Sequence, residues 1–266
     1  MRTVFASLSI LTTLLLLAAA QARAGETPKI RSDVTTVFGY YGVTHGLSDR
    51  RYATAWGNVY FASGLGAHAE AHYMDREEAA SFVAGGLSWN GENAFLRGWF
   101  GSSTDNVGIL PEIYGRIEGN WRSSAETGIV ISPAATYRSF RNGAEEASVE
   151  AEIAKYFPLK TGFLILSAFG RALYVDPGDY ITTSFGAGVG YAQAGKVSVG
   201  LSLEAGRAAY DGILAPGSFD ENYFSIRQHV SFHVTEKAEV VGLMEYSSRA
   251  SYDVYGGHIG LKLYFD

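Results

Sequence analysis

From Val34 to Phe265 the chain alternates apolar and polar side chains with a period of two, the repeat of an extended strand with one apolar face. The last run shows the pattern clearly. Tyr255, Gly257, Ile259, Leu261, Leu263 and Phe265 fall on one side, and Gly256, His258, Gly260, Lys262 and Tyr264 on the other. Ile113, Gly115, Ile117, Gly119 and Trp121 alternate in the same way with Tyr114, Arg116, Glu118, Asn120 and Arg122. About fourteen such segments can be marked: 34–43, 51–62, 66–74, 79–89, 93–101, 112–122, 125–137, 145–157, 162–174, 180–192, 196–208, 222–233, 237–248 and 253–265. Runs of about ten alternating residues between turn signals predict an all-β, transmembrane, antiparallel up-and-down barrel of about 14 strands, with 12 to 16 allowed by the uncertainty of segment ends.

Two further regularities favour a membrane barrel over a soluble β-sandwich. Connections after even-numbered segments read as tight, with Asn90-Gly91 as a hairpin signal and Ser123-Ser124, Ala194-Gly195 and Thr235-Glu236 as others. Those after odd-numbered segments read as longer and more polar, the longest from Ala209 to Glu221, so strict alternation between short periplasmic turns and long external loops is expected. The second regularity is aromatic. Phe61, Trp89, Trp121, Phe157, Tyr191, Phe232 and Phe265 each end an even-numbered segment on the apolar face, where rings would lie at one membrane interface; Tyr73, Tyr174 and Tyr210 are candidates for the other. Pro133 sits awkwardly in the seventh segment, because proline cannot donate to a ladder and belongs at an edge, a strand end or a bulge. Pairing of the last strand with the first, near Val34 to Val43, is the closure this architecture requires.

The front of the chain bounds the compartment. Arg2, the apolar run Val4 to Ala20 and Ala22-Arg23-Ala24 have the order of a cleaved signal peptide over 1–24, followed by a short periplasmic leader, 25–33, and the barrel, 34–266. The absence of cysteine excludes a lipoprotein anchor and disulfides. Loss of Arg2 and Arg23 would take the formal charge from −6 to about −8, which argues against a nucleic-acid partner. The 32 glycines, 17 tyrosines and 15 phenylalanines suit strands, turns and interfacial rings. The expected location is the bacterial outer membrane, with outer-membrane lipid as a partner.

Three groups of polar residues could carry chemistry. His68, Glu70 and His72 share a face, but residues four apart on a strand are separated by about 13 Å, too far to share one ion held at about 2 Å per bond. Arg227, His229, Ser231 and His233 contain a nucleophile and bases, but on the polar face rather than the lipid face. Neither group is assigned as catalytic or metal-binding, and no cofactor is expected. The third group comprises inward charges: Arg116, Glu118, Arg122, Glu150, Glu152, Arg171, Glu204 and Arg227. With His229 and His233, and with Trp56 and Tyr60 beside Tyr52 as candidate sugar-stacking rings, the expected lumen lining is Arg116, Glu118, Arg171, Glu204, Arg227, His229, His233, Trp56 and Tyr60.

The opening Val37-Phe38-Gly39-Tyr40-Tyr41, then Arg51-Tyr52-Ala53-Thr54-Ala55-Trp56, Gly206 to Asp211, and Ser225-Ile226-Arg227-Gln228 leading to the Gly257–Phe265 strand resemble the YaiO-like outer-membrane β-barrels. The resemblance is one of layout over most of the chain, strongest in its last third. It implies a monomeric barrel associated with polysaccharide synthesis and supplies no catalytic residues. The expected function is a non-enzymatic, porin-like channel or scaffold for polysaccharide export or surface display, with polysaccharide or periplasmic export components as partners. The alternatives are a barrel-borne lipid- or glycan-modifying enzyme and a surface-binding protein acting through its external loops.

Overall fold

The structure, a computed structural model, describes residues 30–45, 48–76, 78–104, 110–123, 128–208 and 221–265. Every regular element in them is a strand: β1 Arg31–Val43, β2 Arg50–Tyr60, β3 Leu65–Asp75, β4 Ala79–Asn90, β5 Ala94–Ser103, β6 Ile113–Arg122, β7 Ile129–Ser139, β8 Glu145–Leu159, β9 Gly162–Asp176, β10 Tyr180–Gln193, β11 Val197–Ala208, β12 Glu221–Thr235, β13 Ala238–Arg249 and β14 Asp253–Phe265. Each pairs antiparallel with its sequence neighbours. β1 pairs with β14, from Ser32 opposite Phe265 to Val43 opposite Val254, and this seam closes a fourteen-stranded barrel. Strands about 4.8 Å apart and tilted about 40° make a backbone cylinder of about 14 Å radius.

Four local expectations are corrected. β1 begins at Arg31, so Arg31 to Asp33 are strand rather than leader, and Asp33 is buried where it accepts from Asn58 Nδ2 at 2.9 Å. Strict alternation of loop lengths fails: only three residues join β3 to β4, β9 to β10 and β13 to β14. There the outer ends are carried by the strands themselves, which run to Asp75, Asp176 and Arg249 before turning. The Asn90-Gly91 signal does not form a two-residue turn. Asn90 stays in β4, neither residue has positive φ, and Gly91 N donates to Ala94 O at 2.8 Å across a three-residue turn. Pro133 lies inside the paired strand β7. Its missing N–H is accommodated because β6–β7 pairing lapses opposite it, at Gly119 and Asn120, and resumes in the same register at Trp121–Ile131. The expected signal peptide, residues 25–29 of the leader, Tyr210 and the 209–220 part of the longest loop lie outside the described residues.

The curvature of the wall assigns the faces. Side chains two strands apart converge only on the concave side, and there Tyr52 of β2 meets His258 of β14, Arg116 of β6 meets Glu150 of β8, and Arg171 of β9 meets Glu204 of β11. The opposite face is apolar and bare. Phe38, Leu87, Phe100, Val149, Ile181, Phe185 and Ile259 are all more than half exposed around the circumference. At roughly 25 cal/mol per Å² such a belt is costly in water and matched to hydrocarbon. At the rim of the short turns, Phe61, Trp89, Trp121, Phe157, Phe232 and Phe265 are exposed on this outer face; Tyr191 is half-buried, with its hydroxyl 3.0 Å from Thr161 Oγ1.

Candidate lumen site

Alternation places one polar side chain in every two on the concave wall, and the register between strands decides which of them meet. On β5 to β8 an ionic chain forms. Arg97 donates to Glu118 Oε1 from Nε at 3.1 Å and from Nη2 at 2.5 Å; Arg116 Nε donates to Glu118 Oε2 at 3.1 Å. Arg116 Nη1 also reaches Thr136 Oγ1 at 3.0 Å and Glu150 Oε1 at 3.4 Å. One carboxylate thus holds two guanidinium groups, and Arg97 is further fixed over the Trp99 ring, 4.5 Å from its centroid.

A second chain centres on Glu204 of β11. Its Oε1 accepts from Ser184 Oγ at 2.7 Å, Tyr223 OH at 2.5 Å and Arg171 Nη2 at 3.0 Å, while Oε2 lies 3.5 Å from Arg227 Nη1. Arg227 Nε continues to Glu245 Oε1 at 3.2 Å. The Glu204 side chain is only 7% exposed, whereas that of Arg227 is 44% exposed. A buried carboxylate with four donors anchors a guanidinium that still faces water. Low dielectric around the anchor strengthens each bond to it.

Between the two chains lies a cavity of about 350 Å³ lined by Arg116, Glu118, Glu150, Arg171, Glu204 and Arg227. Asn120, Ser132 and Glu152 border it and also line a second cavity of about 610 Å³ that extends to Arg122, Ser123 and Gly128 at the short-turn rim. The shared residues place the two cavities side by side along β6 to β9, the second reaching the rim that carries the chain's described ends, where Ile129, Val130, Phe163 and Ile165 also line it.

The other wall is filled. Phe82, buried with Ala80, Ala84 and Leu110, packs edge-on against Tyr114 at 5.6 Å, and Met74 and Trp99 close the cluster. Leu110 belongs to the β5–β6 connection, whose end tucks into the barrel with Ser103 Oγ donating to Leu110 O at 3.3 Å. Tyr52 stacks on Tyr41 at 5.7 Å and its hydroxyl lies 2.7 Å from His258 Nδ1, so it is packing rather than an open platform; Trp56 and Tyr60 beside it are half-buried.

The histidine groups stay dispersed. His68 Nδ1 is 2.8 Å from Asn58 Oδ1, His72 Nδ1 is 2.6 Å from Thr54 Oγ1, and His68 Nε2 stands 3.8 Å from Glu70. Among the described residues no three His, Asp or Glu side chains converge as a metal site. His233 stacks on Tyr264 at 5.7 Å, and Ser231 hydrogen-bonds Glu239. Of the charges singled out from sequence, Arg116, Glu118, Glu150, Arg171, Glu204 and Arg227 line the mid-barrel cavity, Glu152 borders both cavities and Arg122 lines the second. Arg97, Thr136, Glu239 and Glu245 were not singled out, although their phase on β5, β7 and β13 marks them as inward.

A closed antiparallel barrel with an apolar exterior and a polar, charged interior defines the class: this chain is a bacterial outer-membrane β-barrel. Among solved structures it is similar to the outer-membrane protein Omp33 of Acinetobacter baumannii, with 14% identity and a TM-score of 0.52 over 88% of this chain and 98% of that one. It is also similar to a bacterial polysaccharide outer membrane secretin, with 9% identity and a TM-score of 0.54 over 89% and 98%. At such identities the likeness is one of fold. No protein-family model matches the chain, and no curated protein matches it.

Proposed function

We propose that this barrel is a non-enzymatic outer-membrane channel or scaffold that assists export or surface display of a polysaccharide, preceded by a cleaved signal peptide over 1–24. The observation that carries the channel reading is the mid-barrel cavity between two ionic chains, Arg116, Glu118 and Glu150 on one wall and Arg171, Glu204 and Arg227 on the other. Paired charges of both signs hold a wetted lumen without committing it to one ion, and hydroxyl-rich chains are recognised by this mixture of donors and acceptors. The resemblance to YaiO-like barrels supports the polysaccharide assignment.

Purified protein in planar bilayers is expected to give discrete conductance steps, with ion selectivity moved toward cations when Arg116 or Arg227 is replaced by Gln. A bilayer without steps would leave only the scaffold form. Cells lacking the protein are expected to lose surface polysaccharide and to regain it on complementation. Unchanged surface polysaccharide would overturn the export role in either form.

A further inference from the structure

Among the described residues, the lipid-facing surface carries one amide or charged side chain at mid-membrane depth. Gln228 lies on the outward face of β12, in the series Phe224, Ile226, Gln228, Val230, Phe232, and is exposed. Its ladder partners are Leu201 and Met244. With a rise of about 3.3 Å per residue and a tilt of about 40°, each residue covers about 2.5 Å of membrane depth, so Gln228 stands about 10 Å from both Phe224 and Phe232. That is the middle of an apolar band about 25 Å tall. Other amide or charged side chains on the described outward faces, including Arg51, Asp75, Glu145, Lys155, Gln193 and Arg207, lie at or near strand ends.

An amide at this depth has no water to bond, and leaving its donor and acceptor unmade is costly. Around Gln228 the surface is also concave. A depression of about 950 Å³ is lined by Phe38, Leu201, Ile226, Met244 and Ile259, with Gly257 leaving the sheet bare beside them. A lipid tail would fill the depression but offers nothing to the amide. A second copy of this chain offers the amide a partner. About a two-fold axis along the membrane normal both barrels keep the same insertion direction, an interface residue on the axis meets its own copy, and a carboxamide is self-complementary, each donating one N–H and accepting one.

We propose that the face formed by β12, β13, β14 and β1 is the interface of a homodimer in the membrane, organised around a reciprocal Gln228–Gln228 hydrogen-bonded pair. This departs from the monomer implied by the YaiO-like resemblance and is independent of what crosses the lumen.

Because the chain has no cysteine, the Gln228→Cys variant carries a single thiol. Reconstituted in phosphatidylethanolamine vesicles and oxidised, it is expected to cross-link to a covalent dimer. Leu87→Cys, equally outward on β4 across the barrel and 72% exposed, is expected to remain monomeric. Gln228→Leu, which suits lipid and leaves the barrel fold intact, is expected to weaken dimerisation about tenfold, measured by the concentration dependence of energy transfer between labelled copies in the same vesicles. A wild-type protein that is monomeric at all protein-to-lipid ratios would overturn the proposal, as would equal cross-linking at positions 228 and 87 or an undiminished dimer of Gln228→Leu. A lipid retained by wild-type monomers and lost from Gln228→Leu monomers in native mass spectrometry would assign the depression to lipid instead.

Discussion

The two halves of the inner wall solve the same problem in different ways. On β4 to β6 one stretch of the interior is filled by rings and small apolar groups, with Phe82, Trp99 and Tyr114 packed around Leu110, while His68, Glu70 and His72 of β3 and the Arg97–Glu118 pair keep polar groups beside it. Along β6 to β13 it is filled by charge, and the pairs leave space between them. The difference follows from geometry. A cylinder of about 14 Å radius is too wide for one layer of side chains to span, so apolar packing draws on a residue beyond the strands, Leu110, while long ionic side chains pair along the wall and leave space between them. The packed half holds the shape and the ionic half holds the cavity between its pairs.

Phe82→Ala should separate these roles most strongly. Deleting a buried ring is expected to cost about 3–5 kcal/mol, read as a lower unfolding temperature in detergent, with ion selectivity unchanged. A change in selectivity without loss of stability would mean that the packed half belongs to the passage. Glu204→Gln comes next. It leaves Arg171 and Arg227 without their shared carboxylate and is expected to cost about 1–3 kcal/mol while shifting conductance toward anions. A neutral outcome on both readouts would show that the ionic half neither holds shape nor tunes flow.

The smallest effect is expected outside the membrane, where Asp49 accepts from Tyr40 OH at 2.5 Å and Val43 N at 3.1 Å, bonds that hold its carboxyl below the usual range. Since the folded value is depressed, the tie contributes fully above the ordinary aspartate value of about 3.9 and is lost as pH falls through the lower folded one. Pepsin is therefore expected to cut the β1–β2 loop faster as the pH drops through that window, and Asp49→Asn to be cut rapidly throughout. Equal rates for both proteins would place the loop's order elsewhere.

The strand number of about 14 and the two faces of the segments with clean alternation were legible because a period of two is a local property, visible in ten residues at a time. Thus Ile113 to Arg122 sorted itself into two faces before any partner was known. The ionic chains were only half legible. Alternation marks Arg171 and Glu204 as inward, but their meeting across β10 depends on curvature and on the stagger of β9 against β11, which no single segment encodes. Arg97 was overlooked for the same reason: its importance comes from Glu118 on the next strand. Leu110 could not be read at all. The connection carries apolar residues at Val107, Ile109 and Leu110, but a period of two gives no sign that one of them will pack inside the barrel. Pro133 conflicts with a paired strand, and the barrel resolves the conflict by an interruption on one side of an otherwise continuous strand.

The β1–β14 seam joins residues more than two hundred positions apart, from Ser32 with Phe265 to Val43 with Val254. Contacts so distant in sequence carry the largest loop-closure penalty and form slowly. Until they form, the sheet has two long edges, each a template for pairing with another chain. Assembly is therefore all-or-none at its last step, and a chain cut short within β14 should accumulate as an edge-exposed, aggregation-prone sheet rather than as a slightly smaller barrel.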